Sequence, residues 1–361
     1  MELHIVGGFL GSGKTTAIIG AARALVDEGL KVGIVTNDQG RYLVDTAFFQ
    51  RAAFPTVEVT GGCFCCNYQD LESQLQQLQE RAQPDVIFAE SVGSCADVVA
   101  TVVKPLSRLR RLDSVTSTTF SVFVDARLLR RRLFDLPMPF SEDVVYLFDK
   151  QIEEAGLLVI NKRDLLQGDE AEGVAALARD RYPAKAIRLQ NSLERGEVLG
   201  WLRALQRGAG TPPEDVLEID YARYGAGESE LAWLDEQVTF GVPGGLGSEV
   251  VRDFILELLR RLEERGAAIG HLKFLLESKG RAVKLSVPTL RDSNWISQVP
   301  PLPGSEVSLL INARVQIEAE VLRALVADAL AAVSARYGLH PVVSEVVAFH
   351  PSQPHPTYRL P

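Results

Sequence analysis

One run near the start constrains the chain more than any other: Gly7-Gly8-Phe9-Leu10-Gly11-Ser12-Gly13-Lys14-Thr15-Thr16. It fits G-x-x-x-x-G-K-S/T, with Gly8 and Gly13 as the fixed glycines. The apolar run Glu2 to Val6 before it reads as a buried strand, and Thr15 to Glu28 after it carries a helical pattern. Strand, glycine loop and helix together make an anion site. Backbone N–H groups turn inward around the anion, and the helix N-terminus adds its dipole. A Gly-rich turn that merely starts a helix would not explain Lys14. The spacing therefore assigns phosphate contacts to Gly8, Gly11, Ser12, Gly13, Lys14, Thr15 and Thr16. Lys14 bridges the outer phosphates, and the Thr15 hydroxyl is a ligand for Mg2+.

The rest of the first half alternates strands with helices. Strands are expected at Lys31–Thr36, Val57–Val59, Asp85–Ala89, Ser117–Val124, Leu157–Ile160 and Ala186–Leu189. This order predicts an α/β domain, a doubly wound and mostly parallel sheet of the P-loop NTPase kind. Nearly every motif falls just after the carboxyl end of a strand, where open α/β sheets place ligands. The helix from Tyr68 to Gln83 carries Leu71, Leu75 and Leu78 on one stripe, read as a sheet-covering face. Composition turns linker-like near Gly208 to Pro213. Beyond it the pattern β-α-β-β-β-α-β predicts a smaller C-terminal α+β domain with a largely antiparallel sheet. The expected boundaries are 1–207, a linker over 208–235, 236–350, and an extended tail over 351–361 that holds four prolines. At 361 residues, two domains are the natural count.

Asn161-Lys162-Arg163-Asp164 fits N-K-x-D. An Asp164 carboxylate can accept from both N1–H and the exocyclic amine of guanine, and adenine offers no such donor pair. Lys162 would lie along the base. Glu90-Ser91-Val92-Gly93 resembles the D-x-x-G turn that meets a γ-phosphate, with Glu in place of Asp. Gly93 supplies an amide, and Glu90 holds Mg2+ or orients the attacking water. Asp38, in the turn after the second strand, is the other carboxylate placed to approach Mg2+. Lys14, Glu90 and Asp38 are the catalytic candidates.

Cys63, Cys65 and Cys66 are three of the four cysteines. Thiolates this close suit a soft or borderline metal, and Zn2+ would need a fourth ligand. Glu58 is one candidate for it, and Cys95, just past the Glu90 turn, is another. Buried structural thiols or a redox couple are the competing readings. A Cys65–Cys66 disulfide would need a strained adjacent-residue ring. Of the histidines, His4 reads as a packed core residue, and His350 and His355 as weak metal ligands or an exposed end. Two arginine clusters (108, 110, 111 and 127, 130, 131, 132) read by default as solvated surface. The net charge of −9 argues against nonspecific nucleic-acid binding and against anionic lipid. No apolar run is long enough to span a bilayer, and no signal peptide is seen. The sparse, clustered cysteines point to a reducing cytoplasm.

Taken together the motifs resemble the CobW-type P-loop GTPases, relatives of the hydrogenase- and urease-maturation GTPases HypB and UreG. The family's G-F-L-G-A/S-G-K-T-T is Gly8 to Thr16, its G-C-x-C-C is Gly62 to Cys66, its E-x-x-G is Glu90 to Gly93, and its N-K-x-D is Asn161 to Asp164. The resemblance covers about the first 205 residues. It implies GTP hydrolysis with Mg2+, and Zn2+ at the cysteines with Co2+ or Ni2+ as alternatives. It also implies delivery of metal to, or maturation of, a client metalloenzyme. Three features depart from the pattern. The C-terminal part lacks a His-rich stretch, Ser94-Cys95-Ala96-Asp97 replaces a small-residue-Asp-Pro run, and the loop has no extra lysine at its start. A slow intrinsic rate is expected, because no internal arginine finger can be assigned. A homodimer stays open. The rival readings are a nucleotide-switched activator of a cobalamin-dependent or other metalloenzyme with structural cysteines, and a P-loop kinase acting on a small molecule.

Overall fold

The computed structural model describes residues 1–361 except 38, 39, 41–43, 52, 53, 110–113, 244 and 291–293, and except the side chains of 48, 51 and 294. The chain forms two compact units, each assembled from separated segments. One unit is Met1–Gln39, Phe49–Gly227 and Gln353–Pro361, and the other is Gly40–Phe48 and Glu228–Ser352.

The first unit is built on β1 (Glu2–Gly8), β2 (Val32–Asn37), β3 (Thr56–Val59), β4 (Val86–Glu90), β5 (Ser117–Asp125), β6 (Leu157–Asn161) and β7 (Ala186–Gln190). Their order is β3-β2-β4-β1-β5-β6-β7, and every pairing is parallel. Strands covered on both faces must be apolar almost throughout, which is how β1, β4 and β6 read. β1 lies between β4 and β5, so the phosphate loop leaves the sheet at its centre. The Leu71, Leu75, Leu78 stripe is buried, as expected of a sheet-covering face. On the other side of the motif map, Trp201 is fully buried against Phe88 and Phe123, and its indole N–H donates to Ser121 Oγ at 3.1 Å. His4 is a core residue as expected, with Nδ1 2.7 Å from Thr119 Oγ1.

The second unit is a five-stranded antiparallel sheet in the order β10-β9-β11-β8-β12. Its strands are β8 (Leu231–Gly241), β9 (Ala268–Ser278), β10 (Arg281–Pro288), β11 (Glu306–Gln316) and β12 (Val342–Phe349). The helices Gly247–Glu264 and Ala319–Tyr337 fill its core with Phe254, Leu258, Leu262, Leu322, Val326 and Val333. The stretch expected to be a linker holds the helix Tyr221–Ser229 and the first half of β8. In β8, Asp235, the last residue of that stretch, and Glu236, the first beyond it, are 1% and 3% exposed.

Asp235 belongs to a buried polar network. Arg314 is fully buried, lies 3.8 Å over the Trp233 ring, and donates to Asp235 Oδ1 at 3.0 Å. Asn312 donates to the same oxygen at 2.8 Å and accepts from the backbone N–H of Val44 at 2.8 Å. Asp45 is clamped by Lys273 and Lys284. Val44 and Asp45 are therefore fastened into the second unit by a hydrogen bond and by charge. A hydrophobicity pattern carries no trace of this.

Candidate nucleotide and metal site

The phosphate loop is shaped by close approaches. Gly8 has φ +124°, and a Cβ there would lie 2.1 Å from the Phe123 carbonyl oxygen. Gly13 has φ +94° at the N-cap of the helix Lys14–Asp27, and a Cβ there would lie 2.4 Å from Asn161 Nδ2. Only glycine fits either position. Gly11 also has positive φ, and Thr16 is half-buried in the first helical turn. The Lys14 ammonium is 6% exposed and donates to the carbonyls of Gly8 at 2.7 Å and Phe9 at 3.3 Å. Ser12 Oγ is buried with no hydrogen-bond partner among the described residues. A buried hydroxyl left without a partner beside an inward-facing lysine is what a phosphate-binding loop requires.

Thr15 Oγ1 donates to Glu90 Oε1 at 2.9 Å, and both residues are buried. The loop and the turn after β4 thus present two oxygen ligands side by side, a donor set suited to Mg2+. In the same turn, a Cβ on Gly93 would lie 2.6 Å from Leu10 Cδ2. Asp38 lies outside the described residues.

At the carboxyl end of β6, the Asn161 amide donates to Ser12 O at 2.8 Å. Its oxygen accepts from the backbone N–H and hydroxyl of Ser192 at 3.1 and 2.8 Å. Lys162 adopts φ +60°, donates to Gly11 O, and pairs with Asp125 at 3.2 Å. Burial works against the Asp125 charge, but Lys162 and Arg127 hold its carboxyl below the ordinary range. Asp164 is exposed on the short helix Arg163–Leu165. Ser192 and its neighbour Leu193, 78% exposed, complete this corner and were not singled out in the sequence. The only available signal was their position after β7, at the same sheet edge as the other motifs.

The cysteine loop is held by Asn37, the last residue of β2. Its amide donates to Val59 O at 3.0 Å and Gly62 O at 2.8 Å, and its oxygen accepts from Phe64 N–H at 2.9 Å. Cys63, Cys65 and Cys66 have their sulfurs within 4.8 Å of one another. The Cys63–Cys66 and Cys65–Cys66 separations are 3.3 and 3.8 Å, and all four cysteines are free thiols. A tetrahedral Zn2+ with bonds of about 2.3 Å has S···S edges of about 3.8 Å, so the three sulfurs fit that metal. Hydrogen bonds from Cys65, then Cys66 and Cys95, hold the Cys63 thiol well below the ordinary range. The contact with Cys63 pushes Cys65 well up and Cys66 up to about 11. Cys95 is buried beside Cys63, and Glu58 sits in β3 opposite Thr36, both outside the 4.8 Å set. The Gln151 amide ties the neighbouring turns together, donating to Gly93 O at 3.0 Å and Cys95 O at 2.9 Å.

The second arginine cluster is taken up by ion pairs and carbonyl contacts: Arg127 with Asp125, Arg130 with Glu170, Arg132 with Asp149, and Arg131 with Pro137 O. Arg110 and Arg111 of the first cluster lie outside the described residues. Among the described residues, no helix is long and apolar enough to cross a membrane.

The family model for the CobW/HypB/UreG nucleotide-binding domain matches residues 2–188. Zinc-regulated GTPase metalloprotein activator 1 of Dictyostelium discoideum is 23% identical over 340 residues, 84% of this chain and 65% of that protein. Zinc chaperone CobW of Sinorhizobium sp is 28% identical over 230 residues, 57% of this chain and 62% of that protein. Urease accessory protein UreG of Mycobacteroides abscessus is 29% identical over 215 residues, 55% of this chain and 82% of that protein. The chain spans less than two thirds of the length of the first two relatives. With more than half of its residues under the family model and the loop, the Glu90 turn and the thiol cluster gathered in one unit, this chain belongs to the CobW/HypB/UreG family.

Proposed function

We propose that the protein is a GTP-hydrolysing metallochaperone that carries a divalent metal, Zn2+ first, on Cys63, Cys65 and Cys66 for delivery to a client metalloprotein. The observation that carries this reading is the Asn37 side chain. It is one residue before Asp38, the candidate for sensing Mg2+ and the γ-phosphate, and it makes three hydrogen bonds to the segment that presents the thiols. A change at Asp38 on hydrolysis would therefore reach the metal loop through the amide of its neighbour Asn37. Metal affinity must differ between the two nucleotide states for delivery to be driven.

In this reading Lys14 exchanges its carbonyl partners for the β- and γ-phosphate oxygens. Ser12 Oγ and the amides of the loop complete the phosphate cradle. Thr15 and Glu90 would hold Mg2+, which would supply charge neutralisation at the phosphoryl group. Asn161 locks the loop to the base corner, Lys162 lines the base, and Asp164 reads guanine. Glu90 or Asp38 orients the attacking water. Turnover is slow, because the arginines of the second cluster are engaged in ion pairs and carbonyl contacts, and a client supplies the missing stabilisation. The setting is the cytoplasm, where thiols stay reduced.

The test is a metal titration with Zn2+, Co2+ and Ni2+ in the presence of GTP and of GDP. A nucleotide-dependent affinity is expected. In the Cys63→Ser variant, metal stoichiometry by elemental analysis should fall while GTP binding persists. Unchanged stoichiometry would remove the metal from the account and leave a nucleotide-switched activator with structural cysteines.

A further inference from the structure

The C-terminal tail leaves the second unit at Ser352, and Gln353–Pro361 belongs to the first. There it lies against the cysteine loop. Thr357 N–H donates to Cys65 O at 2.8 Å, and Thr357 Oγ1 donates to Cys66 O at 3.1 Å. The backbone N–H of His355 donates to Cys66 Sγ at 3.3 Å. The Tyr358 ring packs edge-on to Tyr68 with centroids 5.1 Å apart. Further along, Arg359 Nε donates to Asp97 Oδ2 at 2.7 Å, and Leu360 N–H donates to Ala100 O at 2.9 Å. Asp97 is itself buried, and Tyr221 holds the same oxygen at 2.7 Å. The tail is thus pinned at one end to the thiols and at the other to the segment that follows Gly93.

His355 stands between Pro354 and Pro356. Proline on both sides restricts its backbone to an extended path, so the imidazole can only swing about its own side-chain bonds. The ring is exposed and makes no hydrogen bond or ion pair among the described residues. Its backbone nitrogen already lies 3.3 Å from Cys66 Sγ, which puts the imidazole within a side-chain length of that sulfur. Cys95 is the rival for the role of fourth ligand: it is 3% exposed, lies beside Cys63 on the buried side, and falls outside the three sulfurs that sit within 4.8 Å of one another.

We propose that the tail completes the metal centre, with His355 as the fourth ligand beside Cys63, Cys65 and Cys66 in a Cys3His tetrahedron. The inference rests on the metal-carrying role proposed above. On binding, the three thiols release their protons to solvent and the imidazole coordinates as the neutral base. The tail then links metal occupancy to the turn that follows the γ-phosphate sensor. Its release removes one ligand and uncovers the sulfurs for transfer.

The experiment uses the full chain with Co2+ as the spectroscopic probe and Zn2+ in competition with a chromophoric chelator. The wild type should give the d–d envelope of tetrahedral cobalt with mixed nitrogen and sulfur ligands. His355→Ala, at an exposed position, should keep the fold by circular dichroism. It should shift that envelope and weaken Zn2+ binding by more than the roughly 10- to 100-fold that losing an outer-shell support costs. His355→Cys should restore tight binding with an all-sulfur spectrum, which a purely structural role for the tail would not produce. Cys95→Ser should leave the spectrum unchanged. A wild-type spectrum and affinity in His355→Ala, or a spectrum lost in Cys95→Ser, overturns the assignment. Failure of the wild type to bind either metal defeats the metallochaperone reading itself, a distinct result.

Discussion

Gly13 concentrates two demands on one residue: a left-handed backbone and a neighbour, Asn161 Nδ2, that a Cβ would approach to 2.4 Å. Gly13→Ala should therefore lose nucleotide affinity by roughly 10- to 100-fold, from about 1–3 kcal/mol of backbone strain plus displacement of the amide. Titration with a fluorescent GTP analogue reads this directly. Asp164 has a different task, since it is exposed and shapes nothing around it. Asp164→Ala should leave stability unchanged and cut the preference for GTP over ATP by at least about tenfold, the scale of a hydrogen bond to a charged group. Retained discrimination in competition binding would remove Asp164 from base reading. Glu236 is a buried acid whose carboxyl is pushed up to about 7 by desolvation, with Arg323 opposing. A raised folded-state value means the fold favours the protonated acid. That stabilisation is complete below the unfolded value near 4.5 and is lost as pH rises through about 7. Glu236→Gln should flatten the fall in melting temperature between pH 5 and 8. It should also raise stability at pH 8 by up to about 3 kcal/mol.

At the scale of elements, the informative connections are single side chains that join the end of one strand to the loop of another. Asn37 closes β2 onto the loop after β3. Asn37→Ala should weaken metal binding about tenfold, because the thiols lose their support, while the phosphate loop stays intact. Equal metal affinity in the variant would show that the loop holds its own shape. The helix Val44–Arg51 depends on Asp45, whose burial is offset by Lys273 and Lys284, and these hold its carboxyl below the ordinary range. Asp45→Ala removes the carboxylate that both ammonium groups contact. The second unit should lose about 3–5 kcal/mol, measurable as an earlier denaturant midpoint.

At the scale of the molecule, the chain passes between the two units four times, at 39/40, 48/49, 227/228 and 352/353. Both short exchanged segments adjoin the candidate site in sequence. One follows Asp38, and the other carries His355. Saturating GTP and Mg2+ should stabilise the first unit by about 2.7 kcal/mol at one hundred times the dissociation constant. Scanning calorimetry should show a nucleotide-dependent transition that Asp45→Ala leaves in place and a second transition that the variant lowers. A single transition moving as one under both changes would mean that the units unfold together.

Much of this protein is determined by local chemistry and so by sequence alone. The phosphate loop, the Glu90 turn, the Asn161 to Asp164 element and the thiol cluster each need a fixed residue type at a fixed spacing. Strand periodicity then puts them at the carboxyl ends of a parallel sheet. Other features have no local signature, because they consist of contacts between residues far apart in the chain. Asn37 is an ordinary strand end until its amide meets Val59, Gly62 and Phe64. Asp235 fell in the expected linker because the partners of its buried carboxylate, Asn312 and Arg314, lie on another strand. The tail looked like a proline-rich end until it returned to the cysteines. Sequence named three ligands for a metal, offered Glu58 and Cys95 for the fourth, and read His355 as a weak ligand or an exposed end. Only tertiary structure brought His355 to Cys66, because 289 residues separate the two and no spacing rule spans that distance.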